Sequence, residues 1–303
     1  MRPEPKNPLS QPRSTDPDSR PPAIDPVTAV LNLSPEPPRP EADVPFPELL
    51  ARFSADPRSF LNRLPGLLVF DKPSGTLSSH QVVDRVRRWA GLRRVGHAGT
   101  LDPLASGVLL VLLGAATRLF DACQAWDKTY RARFRLGCRT DTRDITGQPL
   151  TPGQWQPRMV PPVPKTTVEE TLTVLRGAAW QTPPMHSALK RHGRPLYRLA
   201  REGIETPREP RPARVVRLAL SGFDGTEGTL EMTVGSGFYV RVLVDDLGTF
   251  LGCGAVMTAL RRLSVGPFDL RDRVPWPWPG PAATGGAAGH GGRDGGGGNG
   301  PGP

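Results

Sequence analysis

Asp102 stands between a glycine-rich turn and a proline in the run Val95-Gly96-His97-Ala98-Gly99-Thr100-Leu101-Asp102-Pro103-Leu104-Ala105-Ser106-Gly107-Val108-Leu109. Glycine accepts positive φ and close approach by a ligand or a second backbone. Pro103 removes a donor and holds residue 102 out of helical geometry. A carboxylate presented this way can do covalent or acid–base chemistry, or it can cap a neighbouring amide as a purely structural turn. A phosphate-cradling loop is disfavoured, because the G-x-x-x-x-G-K-[ST] spacing is absent and no lysine stands beside the turn. The following apolar run Val108 to Leu113 is partly β-branched and ends at Gly114, which predicts a buried strand. Asp102 is therefore expected on a loop held by a rigid sheet, the usual seat of catalytic groups.

Two further motifs accompany it: Asp71-Lys72-Pro73-Ser74-Gly75 upstream and Asp127-Lys128-Thr129-Tyr130 downstream. Then follow Gly137-Cys138-Arg139-Thr140-Asp141-Thr142, the block Gln181 to Lys190, Gly237-Phe238-Tyr239-Val240-Arg241, and Asp245-Asp246-Leu247-Gly248 through Leu263. Together, in this order, the blocks closely resemble the TruB family of tRNA pseudouridine synthases over roughly residues 65 to 270. Departures are mild: Ala98 and Ser106 stand where threonine is common, His186 where tyrosine is, and Phe238 where threonine is.

The resemblance implies an isomerase acting on uridine in the tRNA T loop, at the position numbered 55 in tRNA convention, with no cofactor and no metal. It implies Asp102 as the catalytic carboxylate, either nucleophile or base toward the sugar, and Arg241 as its cationic partner. Tyr130 matches the aromatic residue that stacks on the flipped base, Tyr239 and Leu260 match pocket-lining positions, and His97 matches a histidine that holds the flipped conformation. Lys72 is expected to contact RNA, as is the block Pro183 to Lys190. The implied fold is α+β, a curved, largely antiparallel mixed sheet with flanking helices and a central RNA-binding cleft. A guide-RNA-dependent relative and a non-catalytic tRNA-binding or folding chaperone are the competing readings. Intact Asp102, Tyr130 and Arg241 favour the enzyme.

The elements that must position these groups are partly legible. Residues 66 to 71 read as a first strand. Ser78 or Ser79 then caps a helix with Val82, Val83, Val86 and Trp89 at helical spacing, closed by Gly91. Its arginines, Arg85, Arg87 and Arg88, form either a solvated face or a phosphate-facing rim. Tyr130 to Leu136 alternates with period two, so Arg131, Arg133 and Arg135 share a face that could meet phosphate. Helices are expected over residues 168–176 and 195–201, and strands over 214–220, 229–234 and 238–244. In that last strand Tyr239 and Arg241 would point to one face. Because strands and helices do not alternate regularly, α+β is favoured over a parallel α/β sheet.

Composition bounds the rest. The 303 residues include 37 prolines and 34 glycines, concentrated at the ends. Residues 1–64 are expected to be a Pro-rich, mostly disordered extension, relieved only by a short helix near Phe46 to Phe53. Residues 65–275 would form the catalytic domain, and 276–303 a Gly/Pro-rich disordered tail in place of the PUA-type domain of many relatives. The net charge of +10 becomes +12 once the acidic residues 1–43 are set aside, which points to a polyanion such as tRNA. No run of eighteen apolar residues or signal-peptide core exists, so a cytoplasmic protein is expected, without a membrane and as a monomer without an obligate protein partner. Cys123, Cys138 and Cys253 are odd in number and widely spaced, which predicts reduced, mostly buried thiols.

Overall fold

The computed structural model describes residues 45–62, 66–151, 153–176, 179–191 and 193–276. The expectations for residues 1–44 and 277–303 lie outside the described residues.

Eight strands form one mixed sheet. Its path runs β1 (Leu67–Lys72), β3 (Ser106–Leu113), β11 (Ala255–Val265), β4 (Lys128–Leu136), β10 (Glu227–Val234) and β9 (Val215–Phe223). β2 (Val95–Ala98) and β12 (Phe268–Asp269) attach to β3 and β11. All pairings are antiparallel except β3 with β11, which meet only at Ser106 and Gly107. The expected α+β class with a largely antiparallel mixed sheet is thus observed.

The apolar runs of β1 and β3 follow from burial on both faces. Leu68, Phe70, Leu109, Val111 and Leu113 enter the main core, while Leu67, Val69, Val108, Leu110 and Leu112 enter a second core behind the sheet. That second core is closed by Leu49 and Phe53 of helix α1 (Phe46–Ala55) and by Phe60. The packed unit among the described residues therefore begins earlier than residue 65: an amphipathic helix that buries Leu49 and Phe53 has left the extension and joined the domain.

Helix α2 (Ser79–Ala90) starts with a capping box between Ser78 and Gln81 and ends at Gly91 in the left-handed region, as its sequence predicts. The remaining helices are α3 (Phe120–Ala125), α4 (Lys165–Leu175), α5 (Leu196–Arg201) and α6 (Val240–Phe250). Short two-stranded pairs join β5 (Ala179–Gln181) to β8 (Arg211–Ala213) and β6 (Lys190–Arg191) to β7 (Arg194–Pro195).

α6 is a correction, because residues 238–244 were expected to be a strand following a hairpin turn. Val240, Leu243, Val244, Leu247 and Leu251 recur at three- and four-residue intervals, and all are buried. That helical stripe packs across β11. Over only seven residues a stripe of this kind also satisfies period two, which is why the shorter window misleads.

The arginines of β4 have cross-strand partners. Arg131 is bonded to Glu231, and Arg135 to Glu227, with Arg133 3.9 Å from Glu227. Cross-strand glutamates of β10 thus pair with arginines of the face expected to meet phosphate, two carboxylates against three guanidiniums. The thiols behave as expected: all three are free, Cys123 and Cys253 buried and Cys138 partly so.

Candidate active site

Asp102 lies on the connection between β2 and β3, at a fork in the sheet. On one edge β3 pairs with β11 through Gly107 and with β2 from Leu110 onward, leaving Val108 between the two partners. The guanidinium of Arg262 fills that gap. It donates to the Val108 carbonyl (2.7 Å) and to the Gly99 carbonyl (3.0 Å), although the residue is only 1% exposed. A buried arginine thereby stands in for the missing strand and ties both ends of the Asp102 connection together.

The Asp71-to-Ser79 segment secures the middle of the loop. Lys72 donates from Nζ to the carbonyls of Pro73 (2.9 Å), Pro103 (3.3 Å) and Ala105 (2.7 Å). The Ser79 hydroxyl accepts from the Leu101 amide (2.9 Å) and donates to the Leu101 carbonyl (3.2 Å). Ser74 donates to the Leu104 carbonyl, and the Gly75 amide donates to that of Pro103. Lys72 was expected to contact RNA, but it is fully buried with three carbonyls as partners. It holds the loop from below. Burial brings its ammonium down to about 8, partly offset by the nearby charge of Asp102.

Arg241, in the first turn of α6, meets Asp102 from the far side of the cleft. Its Nε donates to Asp102 Oδ2 at 2.9 Å, while its two terminal nitrogens each donate at 2.8 Å, one to the Thr142 carbonyl and the other to the His186 carbonyl. Asp144 Oδ2 is 3.8 Å from the same Nε, and its other oxygen accepts from the amide and hydroxyl of Thr146 and from the hydroxyl of Thr142. Arg241 is 4% exposed and Asp102 34%, so the carboxylate faces the cleft while its partner is sunk beneath it.

The cleft has a volume of about 740 Å³ and is lined, among others, by His97, Asp102, Tyr130, Tyr239, Arg241 and Leu260. Six of the seven site residues named from sequence therefore come together, and Lys72 lies behind them. Tyr130 of β4 sits opposite Arg262 of β11, two positions from the Leu260–Ala132 pair, so the sheet register itself places Tyr130 near Leu260. His97, on β2, was read as part of a turn. Burial and the charge of Arg262 lower its imidazolium to about 4, and its Nδ1 is enclosed without a hydrogen-bond partner. Of the block Pro183 to Lys190, Pro183, Pro184 and Ser187 are buried, and Ala188 and Lys190 are exposed.

Sequence reasoning missed Asp144, Gln181 and Arg262. Each lies in or beside a motif quoted for the family resemblance, but a polar residue buried to hold backbone carries no periodic signal of its own.

Residues 87–240 match the TruB family pseudouridylate synthase N-terminal domain, and residues 241–276 the tRNA pseudouridylate synthase B C-terminal domain. The chain is 46% identical over 212 residues to a tRNA pseudouridine synthase B of Syntrophotalea carbinolica, a match covering 69% of this chain and 66% of that protein. It is 43% identical to the Bordetella avium protein of the same name, covering 68% of this chain and 83% of the relative. Among solved structures it resembles a crystal structure of a Cbf5-Nop10-Gar1 complex, at 30% identity and a TM-score of 0.52, over 68% of this chain and 50% of that one. The chain thus spans just under two thirds of the Syntrophotalea relative and half of the solved chain. With a single loop carboxylate, its buried arginine and two tyrosines gathered in one cleft, and with matches running continuously from residue 87 to 276, this chain belongs to the TruB family of pseudouridylate synthases.

Proposed function

We propose that this protein isomerises uridine to pseudouridine in the T loop of tRNA. The observation that carries the reading is the Asp102–Arg241 pair at 2.9 Å on the floor of a cleft flanked by Tyr130, Tyr239 and Leu260. The names of the TruB relatives support the choice of tRNA.

In this reaction the C1′–N1 bond of uridine breaks, the uracil turns, a C1′–C5 bond forms, the C5 proton leaves and N1 gains one. Nothing is oxidised or lost. Asp102 supplies the carboxylate that works on the nucleotide, as nucleophile or as base toward the sugar. A base covering it removes water, and Arg241 then supplies the compensating charge. A stacked uridine must be flipped out at a cost of a few kcal/mol. Stacking on Tyr130 returns about 1–3 kcal/mol of that. His97, Tyr239 and Leu260 line the space the base would enter, and exposed Lys190 and Arg211 at the rim are placed for the phosphate backbone.

The enzyme is proposed to act alone, as a monomer. Among the described residues no helix is long and apolar enough to cross a membrane. Purified protein incubated with unmodified T-arm RNA should yield pseudouridine without any added protein, and Asp102→Asn should yield none. RNA binding without product from the wild type would overturn the proposal.

A further inference from the structure

Gln181 ends β5 on the cleft wall, 4% exposed, and its side-chain amide clasps the backbone of one residue 58 positions away. Nε2 donates to the Tyr239 carbonyl at 3.1 Å, and Oε1 accepts from the Tyr239 amide at 2.9 Å. Tyr239 is the N-cap of α6, and its own side chain accepts no hydrogen bond from the helix amides. Its carbonyl also takes the first helical amides, from Val242 and Leu243. The clasp therefore fixes the residue at which the chain turns into α6, and Arg241 follows two positions later. Five residues beyond Gln181, the His186 carbonyl accepts from Arg241 itself. One short segment thus grips both the start of the helix and the guanidinium it delivers.

We propose that Gln181 is a positioning residue for the isomerisation, acting through Tyr239 and Arg241 on the geometry of Asp102. The chemistry of the clasp explains the residue type. A side-chain amide donates and accepts at once, a carboxylate only accepts, and a methionine of similar length does neither. Being neutral, the amide also adds no charge beside the Asp102–Arg241 pair. Because the clasp holds a backbone rather than the nucleotide, its loss should act on the chemical step more than on RNA affinity. Misplacing a catalytic group by a fraction of an ångström to an ångström is enough to slow that step by tens to roughly a hundredfold.

The proposal rests on the pseudouridine synthase reading, and the test separates the two. Wild type, Gln181→Met and Gln181→Glu are compared on T-arm RNA by single-turnover pseudouridine formation, RNA binding and thermal midpoint. Gln181→Met should lose about tenfold or more in single-turnover rate while RNA affinity changes by less than about threefold. Gln181→Glu, which keeps the bond from the Tyr239 amide but loses the one to its carbonyl and adds a charge beside the pair, should also be slower than wild type. A wild type that makes no pseudouridine overturns the functional reading. An active wild type with Gln181→Met within twofold in rate, or with rate and affinity falling together, overturns the clasp alone. If Gln181→Met does not fold, Gln181→Glu decides, and a Glu variant as fast as wild type overturns the proposal.

Discussion

Arg241 and Asp102 are 139 residues apart in sequence and 2.9 Å apart in the site, and the same guanidinium holds the carbonyls of Thr142 and His186. One side chain thereby joins three loops that arrive from different parts of the sheet. An arginine can do this because its donors diverge in a rigid plane. It is nearly fully buried, so its charge is stabilised only if those acceptors are all present. The neighbouring loop is fixed independently, since Arg139 makes two bonds of 2.7 Å to Asp245 of α6 and Arg143 approaches the same carboxylate.

Asp102→Asn should reduce pseudouridine formation by at least about 10⁴-fold, as expected when the carboxylate proposed to act on the nucleotide is replaced by a neutral amide. Arg241→Lys keeps a charge but offers a single flexible point donor to three acceptors, and a loss of about 10²-fold or more in single-turnover rate is expected. Both variants should still bind T-arm RNA, which a filter or gel assay run beside the rate measurement checks. An Arg241→Lys enzyme with unchanged rate would mean that charge alone suffices.

Lys72→Met tests the corrected role of that lysine. Three carbonyls lose the lysine as donor, that of Ala105 in a fully buried bond, and an unsatisfied buried polar group costs roughly 1–3 kcal/mol, so urea unfolding should shift to clearly lower midpoints. The salt dependence of RNA binding should keep its slope. A phosphate contact at Lys72 would instead reduce that slope by about one unit.

Much of this site was legible because its groups sit in local patterns. The Ser78 cap, the Gly91 stop, the period-two face of Tyr130 to Leu136 and the glycine-bracketed Asp102 each declare themselves within a dozen residues. What escaped depends on partners distant in sequence. Arg262 looks like one of two adjacent surface arginines, and only the fork in β3, where two strands share one edge, makes it a buried plug. The arginines of β4 looked free because Glu227 and Glu231 lie about a hundred residues away. Lys72 looked like a phosphate ligand because nothing nearby in sequence predicts three convergent carbonyls.

Gly107→Ala probes the fork directly. Gly107 has φ +102°, and a Cβ there would lie 2.1 Å from the Arg262 carbonyl oxygen and 2.8 Å from its amide nitrogen. Both atoms are backbone of a paired strand, so no side-chain rotation relieves the clash. A loss of more than about 4 kcal/mol is expected, enough to unfold a marginal domain. Gly91→Ala is the control: its φ is +64° with nothing within 4 Å of the added atom, so it should cost only about 1–2 kcal/mol. Chemical denaturation of the two variants measures the difference, and similar losses would show that conformation rather than strand contact governs Gly107.

Acid should weaken the fold through His97. Burial, then the charge of Arg262, brings its imidazolium from 6.5 to about 4. Between those values the unfolded chain binds a proton that the folded chain refuses, so stability is retained above pH 6.5 and falls as pH drops toward 4. A shift of this size corresponds to about 3 kcal/mol at the acid end. His97→Gln cannot titrate and should lack that part of the decline. Urea unfolding of wild type and His97→Gln at a series of pH values isolates it, because every other ionisable group is common to both. Parallel curves would show that His97 is not held neutral by the fold. Divergent ones would mean that the folded protein holds the ring neutral down to about pH 4.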